Sequence, residues 1–168
     1  MDNSKQILER LDELNIPFIL YRHEPMLTIE ACQQIEGVDW QNSAMCKNIF
    51  LCNRQETQYY LLLLRHDRAY RTSVVSKLLG TSRLSFAKPD MLMQLLKLQP
   101  GAVNPLSLIF DSHHKIQLAV DRSILSHQRL LFHPGVNHMS VSIKTEDFLR
   151  KFLPGCAHQP HVIDIPDI

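Results

Sequence analysis

The sequence predicts an α+β fold, with a mixed, mostly antiparallel sheet and short helices packed around it. Three observations carry that reading: strand-like runs paired across polar turns, helical segments of one to three turns between them, and no regular alternation of strand and helix. Ser4 is placed to cap a first helix whose Ile7, Leu8, Leu11 and Leu14 fall on one face, and Pro17 ends it. "FILYR" (18–22) reads as a strand. Thr28 caps a second, short helix through Ile29, Cys32 and Ile35, which Gly37 stops. "KNIFLC" (47–52) and "QYYLLLLR" (58–65) then form a hairpin across the polar "NRQET". Residues 72–79 read as a helix ending at Gly80, and "RLSFA" (83–87) as a strand. Pro89 suits the first turn of a helix through Met91, Leu92, Leu95 and Leu96. "LSLIF" (106–110) and "KIQLAV" (115–120) flank the turn "DSHH", and "RLLFH" (129–133) and "MSVSI" (139–143) flank "PGVN". Thr145 opens a last helix to Phe152, with Glu146 and Asp147 at its positive end, and "LPG" closes it. One domain, 1–168, is expected, with a Pro-rich solvated tail over 156–168 that holds His158 and His161.

Composition bounds the function. A chain of 168 residues with 45% hydrophobic content buries about 70% of its unfolded surface, so it needs no metal or disulfide to fold. Its 18 Lys+Arg against 17 Asp+Glu give a net charge of +1. That argues against coating long nucleic acid, DNA included, which takes many phosphate contacts; gripping one short nucleic-acid end takes only a few cations. The opening "MDNSKQILERLDEL" is charged and amphipathic, unlike a signal peptide, and no apolar run is long enough to cross a membrane. Cys32, Cys46, Cys52 and Cys156 form no C-x-x-C pair, which points to reduced thiols in a cytoplasmic protein. Nine histidines are scattered without metal-ligand spacing, and a metal reading through His133 and His138 rests on their abundance alone.

Several residues carry two readings each. Lys47 and Asn48 at the start of an apolar strand are either solvent-facing polar residues or a point charge and amide for a phosphate or carboxylate. His133, before a proline at a strand end, is either a buried hydrogen-bonded histidine or a neutral imidazole acting on substrate near pH 7. Asn137 is a turn residue or a ligand-orienting amide. Arg65, His66, Arg68 and Arg71 form a positive cluster read as a solvated edge rather than a phosphate contact. Asp111 and Asp121 suit turn or cap duty. In "QPGAVNPLSL" (99–108), Gly101 and Pro105 mark either a helix stop and rigid loop or a loop whose N–H groups face a ligand. No nucleophile elbow, Walker loop or dinucleotide fingerprint is present.

Taken in order, "RHEPMLTIEAC" (22–32), "KNIFL" (47–51), "YYLLLL" (59–64), "LSFA" (84–87), "PGAVNP" (100–105) and "FHPGVN" (132–137) resemble the YbaK-like aminoacyl-tRNA editing family. Within it they are most similar to the stand-alone prolyl-tRNA editing proteins, over about residues 15–155. The resemblance implies a barrel-like sheet surrounded by short helices, and hydrolysis of the ester of mischarged tRNA, Ala on proline tRNA above all. It implies catalytic roles for Lys47, Gly101, Ala102 and His133, and substrate binding by Asn48, Val103, Asn104, Pro105 and Asn137. The Gly-x-x-x-Pro loop would serve the ester, whose developing oxyanion backbone N–H groups can stabilise. Pro105 would stiffen that loop, and Lys47 would hold the terminal adenosine phosphate or polarise the ester. Asn48 and His133 would place substrate and water, and Asn137 would shape the pocket. Neither cofactor nor metal is implied, because a positioned water or the substrate's vicinal hydroxyl suffices. Implied partners are the tRNA acceptor end and, transiently, prolyl-tRNA synthetase or an elongation factor. The alternative is a non-catalytic binding module of the same fold. Pro105-Leu106-Ser107 and His138-Met139-Ser140 depart from the family pattern beside the expected pocket, as does the missing Gly in "LLKLQPG". The first two bear on the choice among Ala, Ser and Thr rather than on the reaction.

Overall fold

In the computed structural model, which describes residues 3–25, 29–32, 34–99, 101–136 and 138–166, the first apolar spacing becomes helix α1 (Ser4–Glu13), with Ile7 and Leu11 fully buried. Ser4 is helical rather than capping; Asn3 holds the N-cap position and donates its side-chain amide to Lys97 O. Strand β1 (Phe18–Arg22) follows as expected; helix α2 (Ile29–Cys32) ends short of the expected Ile35, and the Thr28 cap lies outside the described residues. β2 (Ser43–Cys52) and β3 (Tyr59–Arg65) pair antiparallel, Phe50 opposite Leu61. Asn53 shapes their turn: its Oδ1 accepts from Thr57 N at 2.8 Å and Gln58 N at 3.1 Å. β2 begins four residues before "KNIFLC", so Lys47 and Asn48 sit mid-strand rather than at its start. The extra residues, Ser43–Met45, find a parallel partner 86 residues away, a pairing that no local pattern announces.

Next come α3 (Thr72–Leu78), the two-residue β4 (Ser85–Phe86) and α4 (Pro89–Leu96), which has Pro89 in its first turn. The expected strand "LSLIF" is instead a 3₁₀ helix, Pro105–Phe110. Proline's fixed φ suits a first helical position, and Leu106, Ser107 and Leu108 are buried in succession, which the two-sided alternation of a strand face does not require. β5 (Ile116–Asp121) therefore has no hairpin partner before it; it lies parallel to β3. Asp121 caps the 3₁₀ turn Arg122–Ser126 through Ser123 N, the cap duty its position suggested. β6 (Arg129–Phe132) and β7 (Met139–Lys144) form the expected antiparallel pair. The last helix runs as α5 (Thr145–Asp147), a π turn Phe148–Phe152, and α6 (Leu153–Gly155), so "LPG" continues the helix instead of closing it.

The eight strands form one mixed sheet in the order β1-β7-β6-β2-β3-β5-β8, with β8 (Pro160–Ile163) at one end and β4 beside β2. One face packs Phe50, Leu61, Leu63, Leu118 and Phe132 against Ile7, Leu96, Phe148 and Phe152. Phe132 and Phe148 meet with ring centroids 5.3 Å apart. The other face carries two smaller clusters, one around Leu51, Leu62, Leu64 and Val75, the other of Cys32, Ile35, Met45 and Leu131.

The expected solvated tail is corrected by β8, which adds a parallel strand to β5, and by His158, which is buried. Asp111 explains why. Its carboxylate accepts from Lys115 N and Ile116 N at 2.9 Å each, and His158 Nε2 completes its shell at 3.0 Å. Burial pushes the Asp111 carboxyl up, but these three bonds outweigh it and hold the group below its usual range. Burial likewise pushes His158 down, yet the bonds to Asp111 and Cys156 O raise it to about 9. A group raised on folding stabilises fully below its unfolded value of 6.5 and loses that contribution as pH rises through the folded one. Thermal unfolding is therefore expected to show Tm falling between pH 6.5 and 9. In His158→Gln that slope should flatten; an equally steep slope in the variant would assign the dependence to another group.

Candidate active site

β2 carries the two adjacent candidates on opposite faces. Cys46, Asn48 and Phe50 alternate toward the main core with Leu61 and Leu63; Lys47, Ile49 and Leu51 turn to the side of Leu62 and Leu64. One edge of β2 pairs with β3 over Cys46–Cys52. Along the other, β6 pairs residues 43–45 and β4 pairs residues 51–52, which leaves 46–50 without a strand partner on that edge among the described residues. Asn48 stands in this opening, where its Nδ2 donates to Cys46 O at 3.5 Å.

A pocket of about 230 Å³ fills the opening. Asn48, Ile49 and Phe50 line it from β2, Phe86 and Ala87 from β4 and its exit, Pro89 and Leu92 from α4, and Gly101 and Val103 from the loop. Gly101 has φ +90, a left-handed conformation that β-branched residues scarcely adopt. Ala102 N donates to Gln99 O at 3.1 Å, closing a tight turn around that glycine. Asn104 is fully buried in extended conformation, and its Nδ2 donates to Ala102 O at 3.0 Å and Ser107 Oγ at 3.1 Å. Pro105, also buried, starts the 3₁₀ helix behind it. The structure thus brings Asn48, Gly101 and Val103 together at the pocket, and sets Ala102, Asn104 and Pro105 behind it as support for the loop. Asn137 lies outside the described residues.

Lys47 and His133 occupy the opposite face of the sheet. Lys47 Nζ donates to Arg68 O at 2.5 Å, tying β2 to the segment after β3. His133 follows β6, on the side of Leu131 rather than of the core-facing Leu130 and Phe132. Since Met45 pairs with Leu131 in parallel, His133 comes level with Lys47 where the two strands part. Its Nδ1 lies 2.9 Å from Met139 O, and a carbonyl only accepts, so Nδ1 carries the proton and Nε2 the lone pair. Burial lowers its pKa further than the Met139 bond raises it, and His23 lowers it again, so the ring is neutral at pH 7.

Two partners of His133, Cys32 and Ser140, and the His23 that bonds to the second, were not legible in the sequence. Cys32 Sγ stands 3.5 Å from Nε2, and burial pushes that thiol up, keeping it protonated as the donor. Ser140 Oγ lies 3.3 Å from His133 Nδ1 and 2.8 Å from His23 Nε2, while His23 Nδ1 donates to Glu24 O. Spacings of 101 and 117 residues hide the Cys32–His133 and His23–Ser140 contacts. The positive cluster after β3 is internal in part: Arg68 pairs with buried Asp121 at 3.2 Å, and Arg65 with Asp67 at 2.5 Å. Those pairs commit the two arginines beside a separate cavity of about 390 Å³ that also involves Arg71 and Ile165.

Residues 23–151 match the aminoacyl-tRNA editing domain family. The chain is 32% identical over 149 residues to the prolyl-tRNA editing protein ProX of Acetoanaerobium sticklandii, covering 88% of each chain. It is 28% identical over 165 residues to the prolyl-tRNA synthetase associated domain-containing protein 1 of Danio rerio, covering 97% of this chain and 88% of that one. Among solved structures, a candidate trans-editing enzyme for prolyl tRNA synthetase superposes with a TM-score of 0.69 at 14% identity, over 100% of this chain and 99% of that one. No helix of the described residues is long and apolar enough to cross a membrane. With the match spanning most of its length and the pocket set where the Gly-x-x-x-Pro loop meets β2, the chain belongs to the aminoacyl-tRNA editing domain family and is an editing enzyme of that class.

Proposed function

We propose that this protein is a trans-editing hydrolase that removes alanine from mischarged proline tRNA. The observation that carries the reading is the meeting of Asn48, Gly101 and Val103 around a pocket of about 230 Å³. Water attacks the ester carbonyl carbon, the bond to the ribose oxygen breaks, and the proton passes to that oxygen, leaving a free amino acid and an intact tRNA end. Negative charge develops on the carbonyl oxygen, where the N–H groups of Gly101 and Val103 stabilise it, while the Lys47 ammonium, from the other side of the strand, holds the terminal phosphate. To reach it, Lys47 exchanges its bond to Arg68 O for the substrate. The neutral His133 accepts a proton from the attacking water or the vicinal hydroxyl once its Nε2 leaves the Cys32 thiol. Support for the proline tRNA comes from the relative of that name at 32% identity.

The partners this reading implies are the acceptor end of the tRNA and, transiently, the prolyl-tRNA synthetase or elongation factor that would otherwise take the mischarged product, in the cytoplasm. A panel of tRNAs charged with Ala, Ser, Thr, Cys and Pro tests it directly. Ala on proline tRNA is expected to be released fastest and Pro the slowest. Release no faster than in buffer for all five would leave the non-catalytic binding module as the better reading.

A further inference from the structure

Phe86 is 69% exposed, well beyond the 46% of Ile19, the 42% of Leu78 and the 40% of Met93. It is nonetheless held in place. β4 pairs it opposite Leu51, Ala87 N donates to Phe50 O at 3.0 Å, and the ring of Tyr70 lies tilted against it at 5.7 Å. That register turns Phe86 to the face of β2 that carries Ile49 and Lys47, and its side chain lines the pocket of Asn48, Gly101 and Val103. Lys47 and Phe86 therefore flank Ile49, with Lys47 about 7 Å from it along the strand. The exposed Arg83 and Lys88 stand on either side of the ring in sequence.

The ester of a charged tRNA hangs on the ribose of an unpaired terminal nucleotide. With its carbonyl at the loop, the ribose sits at the pocket mouth, and base and phosphate leave it in opposite directions. An anchored, solvent-facing ring on one side and an ammonium on the other match that arrangement. We propose that Phe86, backed by Tyr70, is the stacking platform for the terminal base of the tRNA. The inference rests on the deacylase reading above. Stacking accepts any base face and strengthens with nearby cations, which suits an end common to all tRNAs.

Uncharged acceptor-stem hairpin RNA, with and without its terminal base, is the probe for the platform, and charged tRNA is the probe for the reaction. Phe86→Ala is expected to weaken hairpin binding about 5- to 100-fold, within the range of one lost base stack. Removing the terminal base should weaken wild-type binding equally, and weaken the variant no further. Phe86→Trp should bind as wild type and Phe86→Leu as Phe86→Ala, because the ring and not its apolar bulk is required. With charged tRNA the loss should fall on KM and leave kcat within twofold, since stacking acts alike in ground and transition states. Unchanged binding in Phe86→Ala, full rescue by Leu, or additive penalties from protein and RNA would each overturn the platform while leaving the deacylase reading standing. Hairpin binding that depends on Phe86 in a protein that releases no amino acid would do the reverse.

Discussion

Gly101→Val is expected to lose deacylation by more than any other single change in the loop, with little change in Tm. The reason is conformational. A Cβ added at Gly101 meets nothing within 4 Å, so the variant has room to fold. Its φ of +90 is another matter, because a β-branched residue held there carries strain of about 1–3 kcal/mol. The loop relieves that strain by turning to negative φ, which swings the N–H of Gly101 and the position of Val103 away from the pocket. Ala102→Ser should stay near wild type in rate and in amino-acid preference, since that side chain lies behind the loop. Pro105→Ala should fall between them. It loosens the unfolded and folded loop by about 0.4–1 kcal/mol and also gives up the packing of a buried ring. Single-turnover hydrolysis of Ala-tRNA, with Tm measured in parallel, checks the order. A Gly101→Val protein that folds and hydrolyses normally would show the segment to be a chain turn and nothing more.

Lys47→Ala is the second large effect: kcat/KM for Ala-tRNA should fall about 30- to 900-fold, equivalent to about 2–4 kcal/mol of lost charge stabilisation. The structure complicates the control, because Lys47 Nζ also holds Arg68 O, and Arg68 in turn pairs with buried Asp121. One charged hydrogen bond is worth about 1.5–3 kcal/mol, so a lower Tm is expected as well. Lys47→Met keeps the stem packed but loses the same bond, so Tm should fall in both variants; assayed at a temperature where both stay folded, their rates should stay low. A wild-type rate in either folded variant would assign Lys47 to the fold alone.

Local chemistry explains what could be read in advance. The 3.6-residue spacing of Ile7 and Leu11, the Asn53 turn between β2 and β3, Pro89 at the start of α4 and the β6–β7 pair each depend on neighbours within a few residues. So did the identity of the loop, since Gly101 with φ +90 and Pro105 at the head of a helix are what those residue types are for. Where reading failed, the deciding partner was remote. "LSLIF" alternates well enough for a strand, but Asn104 and Ser107 bond to one another and the segment is enclosed, so a 3₁₀ turn wins. The C-terminal residues looked solvated until Asp111 supplied a buried carboxylate for His158 and β5 an open edge for β8.

The sequence alone determined the fold class, the family and the residue types at the pocket, because each is written in short-range pattern or in ordered motifs. Tertiary structure alone decided how those residues are shared out. Strand alternation sends Asn48 to one face and Lys47 to the other, and the parting of β6 from β2 makes the opening between them. Burial turns Asn104 inward and ties His133 to Cys32, Met139 and Ser140. None of this follows from spacing, since a parallel pairing or a buried hydrogen bond is selected by whatever surface the rest of the chain brings against it.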